Sequence, residues 1–313
     1  MEMTSRALPL LVILGPTAAG KSALGIRLAE RLGGEILVCD STQVYRGFDI
    51  GTGKVPEAER HAIPHHLIDL AEPTEIFHAG EYRRHAETAL ADLARRHRLP
   101  ILTVGTGLYL RALLEGLCEA PERSDQLRHR LRRRAETAGP AHLHRLLDRL
   151  DPDAARRIGE RDVPKMIRAL EVRLLSGRPL SALQRAGRRG LEGYRPVKIG
   201  LAPPRARLYE RIDRRVEAML AAGWVEEVRG LMASGLGADA KPFLFIGYAE
   251  LGEYLNGGID LQEAAERIRR ATRRYAKRQI TWFRRETDVC WLEGFGDDPE
   301  TAEAAYAIAR ERR

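Results

Sequence analysis

LVILGPTAAGKS, residues 11–22, indicates how the first part of this chain folds. Its apolar start predicts a buried strand, and the eight residues after that strand match the G-x-x-x-x-G-K-[ST] motif in full. The motif consists of Gly15, Pro16, Thr17, Ala18, Ala19, Gly20, Lys21 and Ser22. In such a loop, backbone N–H groups turn toward a phosphate, the lysine neutralises phosphate oxygens, and the serine can hold Mg²⁺. The stretch therefore predicts a site for a diphosphate or triphosphate with magnesium, but it does not predict the reaction.

Strand and helix patterns alternate on both sides of this loop. We predict strands at 10–14, 35–39, 66–70 and 100–104, and helices at 21–32 and 78–98. Such alternation is typical of parallel strands joined by crossover helices. The fold class predicted is therefore α/β, with a P-loop-type parallel sheet and flanking helices.

The middle of the chain has a different pattern. From about residue 113 the strand signals stop and helical stretches follow, until RPVKIGLAP at 195–203 restores a strand. We therefore predict an α/β catalytic core made of residues 1–112 and 199–313, and an all-helical insertion at 113–198. A further helix, long and basic, is predicted from about 260 to 286 near the end of the core.

The positive charge of the chain is concentrated in the predicted insertion. The whole sequence has 52 basic and 44 acidic residues, a net charge of +8. Basic and acidic residues balance at 13 each in 1–112 and at 19 each in 199–313, whereas 113–198 has 20 basic and 12 acidic residues. This surplus favours a polyphosphate partner such as nucleic acid, although solvated helix faces would give the same count.

Composition narrows the class of protein further. No apolar run approaches the roughly 18 residues that a membrane span requires, so we expect no membrane contact and a cytoplasmic protein. The three cysteines are far apart and lack metal-ligand spacing, which predicts neither a disulfide nor a zinc site. The histidines at 61, 65 and 66 have no acidic or cysteine partners at ligand spacing and are interpreted as structural.

An acidic residue opposite the loop distinguishes the possible reactions. P-loop hydrolases and kinases usually carry an acid at the end of a later strand to organise Mg²⁺. Here the strand PILTV ends in Gly105-Thr106-Gly107, and the acid is Asp40, which follows the second predicted strand. Ligands of open α/β sheets gather at such strand ends, so Asp40 is a candidate catalytic base, with a turn or capping role as the alternative.

The order of several motifs resembles that of the tRNA dimethylallyltransferase family, also called tRNA isopentenyltransferases, in its compact bacterial form. These motifs are GPTAAGKS (15–22), DSTQVYRGFDIGTGK (40–54), PHHLIDL (64–70), GTGLYLRALLEGL (105–117), RALEV (168–172), IGY (246–248) and AKRQITWFR (276–284). The resemblance extends over essentially the whole chain. It implies transfer of a five-carbon allylic group from dimethylallyl diphosphate to N6 of adenine 37, just 3′ of the anticodon, in tRNAs that read codons beginning with U. The phosphate group bound by the loop would then be a leaving group.

The same resemblance implies roles for individual residues. It marks Asp40 as the general base, Thr17 and Thr106 as contacts near the reacting groups, and Arg205 and Arg211 as cations for diphosphate or tRNA phosphate. With Lys21, the residues expected to act in catalysis are Asp40, Thr17 and Arg211, and Arg205 joins the loop in binding phosphate. Mg²⁺ is the cofactor expected, with Ser22 as its protein ligand.

RNA contacts are also implied by the resemblance. The expected set consists of Asp40, Ser41, Thr42, Gln43, Thr106, Arg128, Lys165, Arg168, Lys277, Arg278, Gln279 and Arg284. The last four lie in the segment 267–285, which has nine basic residues and no acidic one. Such a segment favours a surface that follows phosphates. The partners expected are the anticodon stem-loop of tRNA and dimethylallyl diphosphate, with the chain acting as a monomer.

Two other functions are compatible with parts of this pattern. A nucleoside or shikimate-type kinase would also use the loop and could place arginines of the insertion in a mobile lid. A non-catalytic RNA-binding module would use the basic segments but would not need an acid opposite the loop. Activity with dimethylallyl diphosphate, compared with ATP turnover, distinguishes these functions.

Overall fold

A six-stranded parallel sheet forms the centre of the computed structural model, which describes residues 7–237 and 240–312. The strand order is β3-β2-β4-β1-β5-β6, and every neighbouring pair is parallel. The strands are β1 (Leu8–Leu14), β2 (Gly34–Cys39), β3 (His65–His66), β4 (Leu99–Val104), β5 (Tyr194–Leu201) and β6 (Val289–Leu292). The predicted α/β class with a parallel sheet is confirmed.

Helices connect most of the strands along the chain. Between β1 and β5 they are α1 (Lys21–Leu32), α2 (Ala79–Arg95), α3 (Gly107–Leu114), α4 (Asp125–Ala138), α5 (Pro140–Leu150), α6 (Pro152–Ala155), α7 (Val163–Ser176) and α8 (Leu180–Arg185). After β5 they are α9 (Arg205–Ala221), α10 (Trp224–Ala233), α11 (Tyr248–Leu255), α12 (Leu261–Phe283) and α13 (Pro299–Arg312). Among the described residues, none of these helices is both long and apolar enough to cross a membrane.

Burial explains why the first strand and helix form where they do. Residues 10–14 of β1 are fully buried between neighbouring strands, which suits their continuous aliphatic character. Helix α1 begins after Gly20 and ends at Gly33, and both glycines have positive φ angles that favour a residue without a side chain. Both helix ends are as the sequence predicts.

One predicted strand is largely wrong. The sequence suggested a strand at 66–70, but β3 contains only His65 and His66. Leu67 and Asp69 adopt φ angles of 68° and 52°, which take the backbone out of the extended conformation. At the other end of the chain, β6 and α13 complete the sheet and its covering layer without having been predicted.

The chain divides into two compact units. One contains the residues up to Leu113 and from Glu192 onward, including the entire sheet, and the other runs from Leu114 to Leu191. The predicted insertion extended to residue 198, but Tyr194 already begins β5 and pairs with Leu8 of β1. Residues 192–198 therefore belong to the sheet unit.

The helical unit has an ionic cluster beside its apolar core. Glu171 on α7 is fully buried, and it accepts hydrogen bonds from Arg128 at 2.8 Å, Arg168 at 2.6 Å and the Ser124 N–H at 2.8 Å. Burial alone would raise the pKa of Glu171, but these donors outweigh it and hold the pKa at about 2. Because the pKa in the unfolded chain is about 4.3, the cluster stabilises the unit above that pH.

We expect Glu171→Gln to weaken the helical unit at neutral pH by about 1–3 kcal/mol, because two guanidinium groups lose a charged acceptor. The deficit relative to the unchanged chain should shrink as pH falls from about 4 toward 2, where the carboxylate itself becomes protonated. Hydrogen exchange of peptides from 114–191, compared between the two proteins at each pH, measures this difference. Glu136→Gln, at an exposed position of α4, is the matched control and should leave exchange unchanged. Equal protection in all three proteins at pH 7 would contradict the role of the cluster.

Candidate active site

A large pocket lies at the carboxyl ends of the parallel strands in the sheet unit. Its volume is about 1070 Å³, and its lining comes from the phosphate loop, the ends of β2 and β4, and helices α9 and α12. The lining includes eight Lys or Arg residues and two acidic ones, Asp40 and Glu59. Ligands of open parallel sheets bind at this edge, and the excess of cations makes the pocket suitable for anions.

The phosphate loop forms one wall of the pocket. The Lys21 Nζ donates hydrogen bonds to the carbonyl oxygens of Gly15 at 3.0 Å and Pro16 at 2.8 Å. Burial lowers the pKa of Lys21 to about 8, with Asp40 opposing this change and Arg215 adding to it. The lysine therefore lies inside the loop, where its charge would be satisfied better by a bound anion than by carbonyl groups alone.

Asp40 faces this loop from the end of β2. Its Oδ1 accepts hydrogen bonds from the Thr42 N–H at 2.9 Å and the Thr42 hydroxyl at 2.7 Å, which fix the orientation of the carboxylate. Its Oδ2 has no hydrogen-bond partner among the described residues. A Cβ atom at Gly105 would lie 2.0 Å from this oxygen, so only glycine allows the observed position. One carboxylate oxygen is thus held and the other is available in the pocket.

The residues after Asp40 line the same pocket. The Ser41 N–H donates to the Thr106 hydroxyl at 2.9 Å, and that hydroxyl lies 3.1 Å from the Ser41 Oγ, which connects the ends of β2 and β4. The Gln43 side-chain amide donates to the Thr52 carbonyl at 3.2 Å. Asp40 through Gln43 therefore form a strip of polar groups along one wall.

Gln279 of α12 connects two parts of the site. Its Oε1 accepts a hydrogen bond from the Thr17 N–H at 2.7 Å, and its Nε2 donates to the Gly105 carbonyl at 2.8 Å. The Tyr275 hydroxyl also donates to Gly105, at 3.3 Å. Gln279 is only 5% exposed. Although the resemblance implied an RNA contact for Gln279, both ends of its amide are used to hold the phosphate loop against the end of β4.

Arg215 is a pocket residue that the sequence interpretation missed. It lies one turn after Arg211 on α9, so both guanidinium groups share a helix face and line the pocket. Burial and the neighbouring Arg211 charge lower the pKa of Arg215, whereas Asp40 opposes this effect. The i, i+4 spacing of the two arginines is the signal that would have revealed it.

The other arginines expected near phosphate differ in their surroundings. Arg211 forms an ion pair with Asp297 at 2.8 Å and lies over the Phe295 ring. Arg205 lies at the start of α9, outside the pocket lining, where its guanidinium donates to the Tyr209 hydroxyl at 2.8 Å. The structure thus brings Arg211, but not Arg205, to the phosphate loop.

A segment near the end of the chain packs against the phosphate loop. The Gly296 N–H donates to the Ala19 carbonyl at 2.9 Å. A Cβ on Gly20 would lie 2.7 Å from the Gly296 nitrogen, and a Cβ on Gly296 would lie 2.4 Å from the Gly20 carbonyl oxygen. The second glycine of the motif is therefore needed for this packing as well as for its positive φ of 86°.

The basic residues of α12 and the turn after it divide into two groups. Three of the nine pair with carboxylates: Arg267 with Glu253 and Glu263, Arg269 with Glu217, and Arg273 with Asp213. The other six have no ion-pair partner among the described residues; they are Arg270, Arg274, Lys277, Arg278, Arg284 and Arg285. These six are exposed; Arg270, Arg274, Lys277 and Arg278 lie on one side of α12, where each is three or four residues from another, and Arg284 and Arg285 follow at the end of the helix. We call them the unpaired basic stripe.

In the helical unit, the three predicted RNA contacts are engaged within the unit. Arg128 and Arg168 hold the buried Glu171, and Lys165 pairs with Asp162. Exposed arginines without ion partners among the described residues lie nearby on α4, at positions 130, 132 and 133. Only the pairing of Arg128 with Glu171 joins residues distant in sequence, whereas Lys165 and Arg168 each pair with an acidic residue three positions away.

The serine of the phosphate loop fits the magnesium expected there. Ser22 is exposed at the first turn of α1 and lines the pocket. Its hydroxyl has no hydrogen-bond partner among the described residues. No cluster of three or more His, Cys, Asp or Glu residues able to hold a metal occurs in the described part of the chain. A hydroxyl donor of this kind suits Mg²⁺, which takes most of its ligands from phosphate oxygens and water.

Family models match most of the chain. The model described as IPP transferase matches residues 43–286, and the one described as isopentenyl transferase matches residues 8–74. A tRNA dimethylallyltransferase from Solibacter usitatus is 52% identical over 299 residues, with 95% of this chain and 97% of the relative covered. One from Koribacter versatilis is 49% identical over 301 residues, with 96% and 98% covered.

Solved structures lead to the same family. The full-length tRNA isopentenylpyrophosphate transferase of Bacillus halodurans aligns with a TM-score of 0.70 and 37% identity, covering 97% of each chain. A eukaryotic dimethylallyltransferase that acts on tRNA aligns with a TM-score of 0.83 and 26% identity, covering 98% of this chain and 79% of its own. Given these matches and the phosphate loop facing Asp40, the chain belongs to the tRNA dimethylallyltransferase, or IPP transferase, family.

Proposed function

We propose that this chain transfers the dimethylallyl group from dimethylallyl diphosphate to N6 of adenine 37, 3′ of the anticodon, in tRNAs that read codons beginning with U. The observation that supports this proposal most directly is one pocket in which a phosphate loop faces a carboxylate with a free oxygen. The proposal includes a monomeric enzyme that acts in the cytoplasm, as we expected from the sequence.

The reaction breaks the allylic C–O bond and forms a bond between that carbon and N6. Negative charge develops on the departing diphosphate, so groups that stabilise it lower the barrier. The backbone N–H groups of the loop, Lys21, and the arginines at 211 and 215 surround the position where it would lie. No water or phosphoryl acceptor takes part, which separates this chemistry from that of a P-loop hydrolase.

The adenine amine must lose a proton as the new bond forms. Its lone pair is delocalised into the ring, which makes it a poor nucleophile, and a positioned base assists it. The Oδ2 of Asp40 takes this proton, while Thr42 holds Oδ1 and keeps the carboxylate oriented. Gln43 and its neighbours supply donors and acceptors for the edge of the base.

Mg²⁺ completes the diphosphate site in this proposal. Ser22 would hold it together with diphosphate oxygens, and the ion when bound neutralises charge on the leaving group. The positive side chains of Lys21 and Arg215 stabilise the same negative charge on the diphosphate. Thr17 lines the same pocket, and the hydrogen bond from its N–H to Gln279 keeps the loop in position.

The RNA is held mainly by cations outside the pocket, with Arg278 at its wall. A base stacked in an anticodon loop must leave its neighbours before N6 can reach Asp40. We propose that the unpaired basic stripe of α12 binds phosphates of this loop, and that the helical unit contributes contacts through the exposed arginines of α4.

Incubation with an unmodified anticodon stem-loop that carries adenine at position 37 tests the function. With dimethylallyl diphosphate and Mg²⁺, we expect N6-dimethylallyladenosine in the digested RNA and one diphosphate released per transfer. The same protein with ATP and small hydroxyl acceptors should form no ADP. ADP formation without prenylated RNA would favour a kinase, and RNA binding without either product would favour a non-catalytic module.

We expect Asp40→Asn to lower kcat by roughly 10²-fold or more, because it removes the proton acceptor at nearly constant size. Binding of dimethylallyl diphosphate and of the stem-loop should stay within about threefold of normal, since charge at the phosphate loop is retained. Steady-state rates and equilibrium titrations measure both effects. Asp288→Asn, at an exposed position of the same unit with no ion-pair partner among the described residues, serves as the control and should keep normal turnover. Near-normal kcat in folded Asp40→Asn would rule out the base assigned here.

The division of the basic residues at 267–285 into paired and unpaired ones leads to a prediction about tRNA affinity. Arg284→Ala should reduce the slope of log affinity for tRNA against log salt by about 0.7–0.9, the change expected for one lost phosphate contact. Arg269→Ala, which removes a guanidinium already paired with Glu217, should leave the slope nearly unchanged. The KM for dimethylallyl diphosphate should stay constant in both variants. Identical salt slopes for the two variants would show that pairing does not determine which cations meet RNA.

A further inference from the structure

An exposed apolar residue stands at the rim of the pocket. Leu244 is 73% exposed, the highest value among the large hydrophobic residues of the described chain. It lines the pocket together with Phe245 and Ile246. Exposing a leucine to water has a cost unless a partner covers it, and this one lies beside the proposed route of a nucleotide into the pocket.

The exposure of Leu244 is imposed by rigid anchors on both sides. Phe243 is buried and its ring centroid lies 5.7 Å from that of Phe48, in an edge arrangement. Phe245 lies 5.7 Å from the Tyr45 ring. Both neighbouring rings are held by these contacts, and the side chain between them is exposed. Leu244 is therefore displayed by a fixed segment rather than by a mobile loop.

Further contacts attach this segment to the wall that begins at Asp40. The Lys241 Nζ donates to the Phe77 carbonyl at 3.0 Å and lies 5.5 Å from the centre of the Tyr45 ring. The Tyr248 ring packs on Phe48, and its hydroxyl donates to Glu227 at 2.6 Å. Glu227 in turn accepts the backbone N–H of Ile50 at 2.8 Å. Leu244 and the polar strip that follows Asp40 are consequently parts of one rigid frame.

We propose that Leu244 packs against a base that flanks adenine 37 after that adenine has entered the pocket. Extrusion of a nucleotide leaves its former neighbour without a stacking partner, and aliphatic side chains fill such gaps in other nucleic acid complexes. The eight basic residues among the pocket lining residues favour a polyanion rather than an apolar protein segment as the occupant of this rim. The inference rests on the proposed function for the identity of the extruded base.

The role proposed for Leu244 is distinct from the prenyl transfer step. Leu244 has no polar atom in its side chain and cannot assist proton transfer or the departure of diphosphate. It favours the anticodon loop in which adenine 37 is extruded over the loop in which that base is stacked. The expected signature is a change confined to RNA, with the KM for dimethylallyl diphosphate unaffected.

Leu244→Ala tests this proposal, with Leu261→Ala as the matched control at another exposed leucine of the same unit. We expect Leu244→Ala to lower kcat/KM for the stem-loop about 5- to 30-fold, the scale for loss of one stacking contact with a base. Leu244→Phe should keep most of the kcat/KM of the unchanged protein, because its larger apolar side chain can cover the same base. Leu261→Ala should behave as the unchanged protein.

Stem-loops with an abasic residue on one side of position 37 identify the contact. The penalty of Leu244→Ala should disappear on the RNA that lacks the contacted base, since the two changes remove the same interaction. It should persist on the RNA with the abasic residue on the other side. An equal penalty on every RNA, or no penalty beyond that of Leu261→Ala, would overturn the proposal.

Two measurements keep this test independent of the catalytic assignment. A stem-loop with 2-aminopurine at position 37 reports extrusion by increased fluorescence without any transfer reaction, and Leu244→Ala should reduce the increase at saturating protein. If the unchanged protein extrudes the base but transfers no prenyl group, the proposed function fails while the role of Leu244 stands. A sedimentation shift caused by Leu244→Ala in the absence of RNA, with normal extrusion, would instead assign the rim to contact between copies of the chain and overturn the proposal.

Discussion

The hydrogen bonds of Gln279 hold the catalytic pocket together. A phosphate loop needs a fixed backbone, because its N–H groups must converge on one anion. Here the Thr17 N–H is tied to a side chain 262 residues away in sequence, and the same side chain holds the carbonyl of Gly105 beside Asp40. This one amide therefore helps, together with the pairing of β1, β4 and β2, to fix the distance between the phosphate site and the carboxylate. A transfer reaction that joins two substrates in line requires that distance to be constant.

The basic residues fall into two groups, those with an acidic partner within the protein and those without one. Arginines that meet a carboxylate within the protein, such as Arg128 with Glu171 or Arg273 with Asp213, have already satisfied their hydrogen-bonding groups. Releasing them for a phosphate would cost the pair that they leave. Those without partners, such as Arg278 and Arg284, can exchange water and counterions for RNA at little cost. The net charge of the chain therefore overstates the basic surface available to RNA. The number of basic residues without an acidic partner is the better measure.

The sequence predicted the four central strands of the sheet, the phosphate loop and the position of Asp40, because each leaves a local pattern of aliphatic residues, glycines and a strand end. Residues whose roles depend on distant partners were harder to interpret. Gln279 looked like part of a basic RNA-binding stretch, and only the fold shows both ends of its amide engaged inside the protein. Arg215 had a detectable signal in its spacing from Arg211. Leu244 had none, because its exposure follows from aromatic contacts of its neighbours with residues nearly 200 positions earlier.

The packing of Gly296 against Gly20 has a consequence for how the protein is made. The phosphate loop is synthesised long before the residues that fix its shape, since Thr17 precedes Gln279 by 262 positions and Gly296 follows later still. During most of its synthesis the nascent chain carries the loop sequence without the contacts that order it. Because domains fold only once their parts have emerged, the phosphate site is completed only after Gln279 and Gly296 have been synthesised.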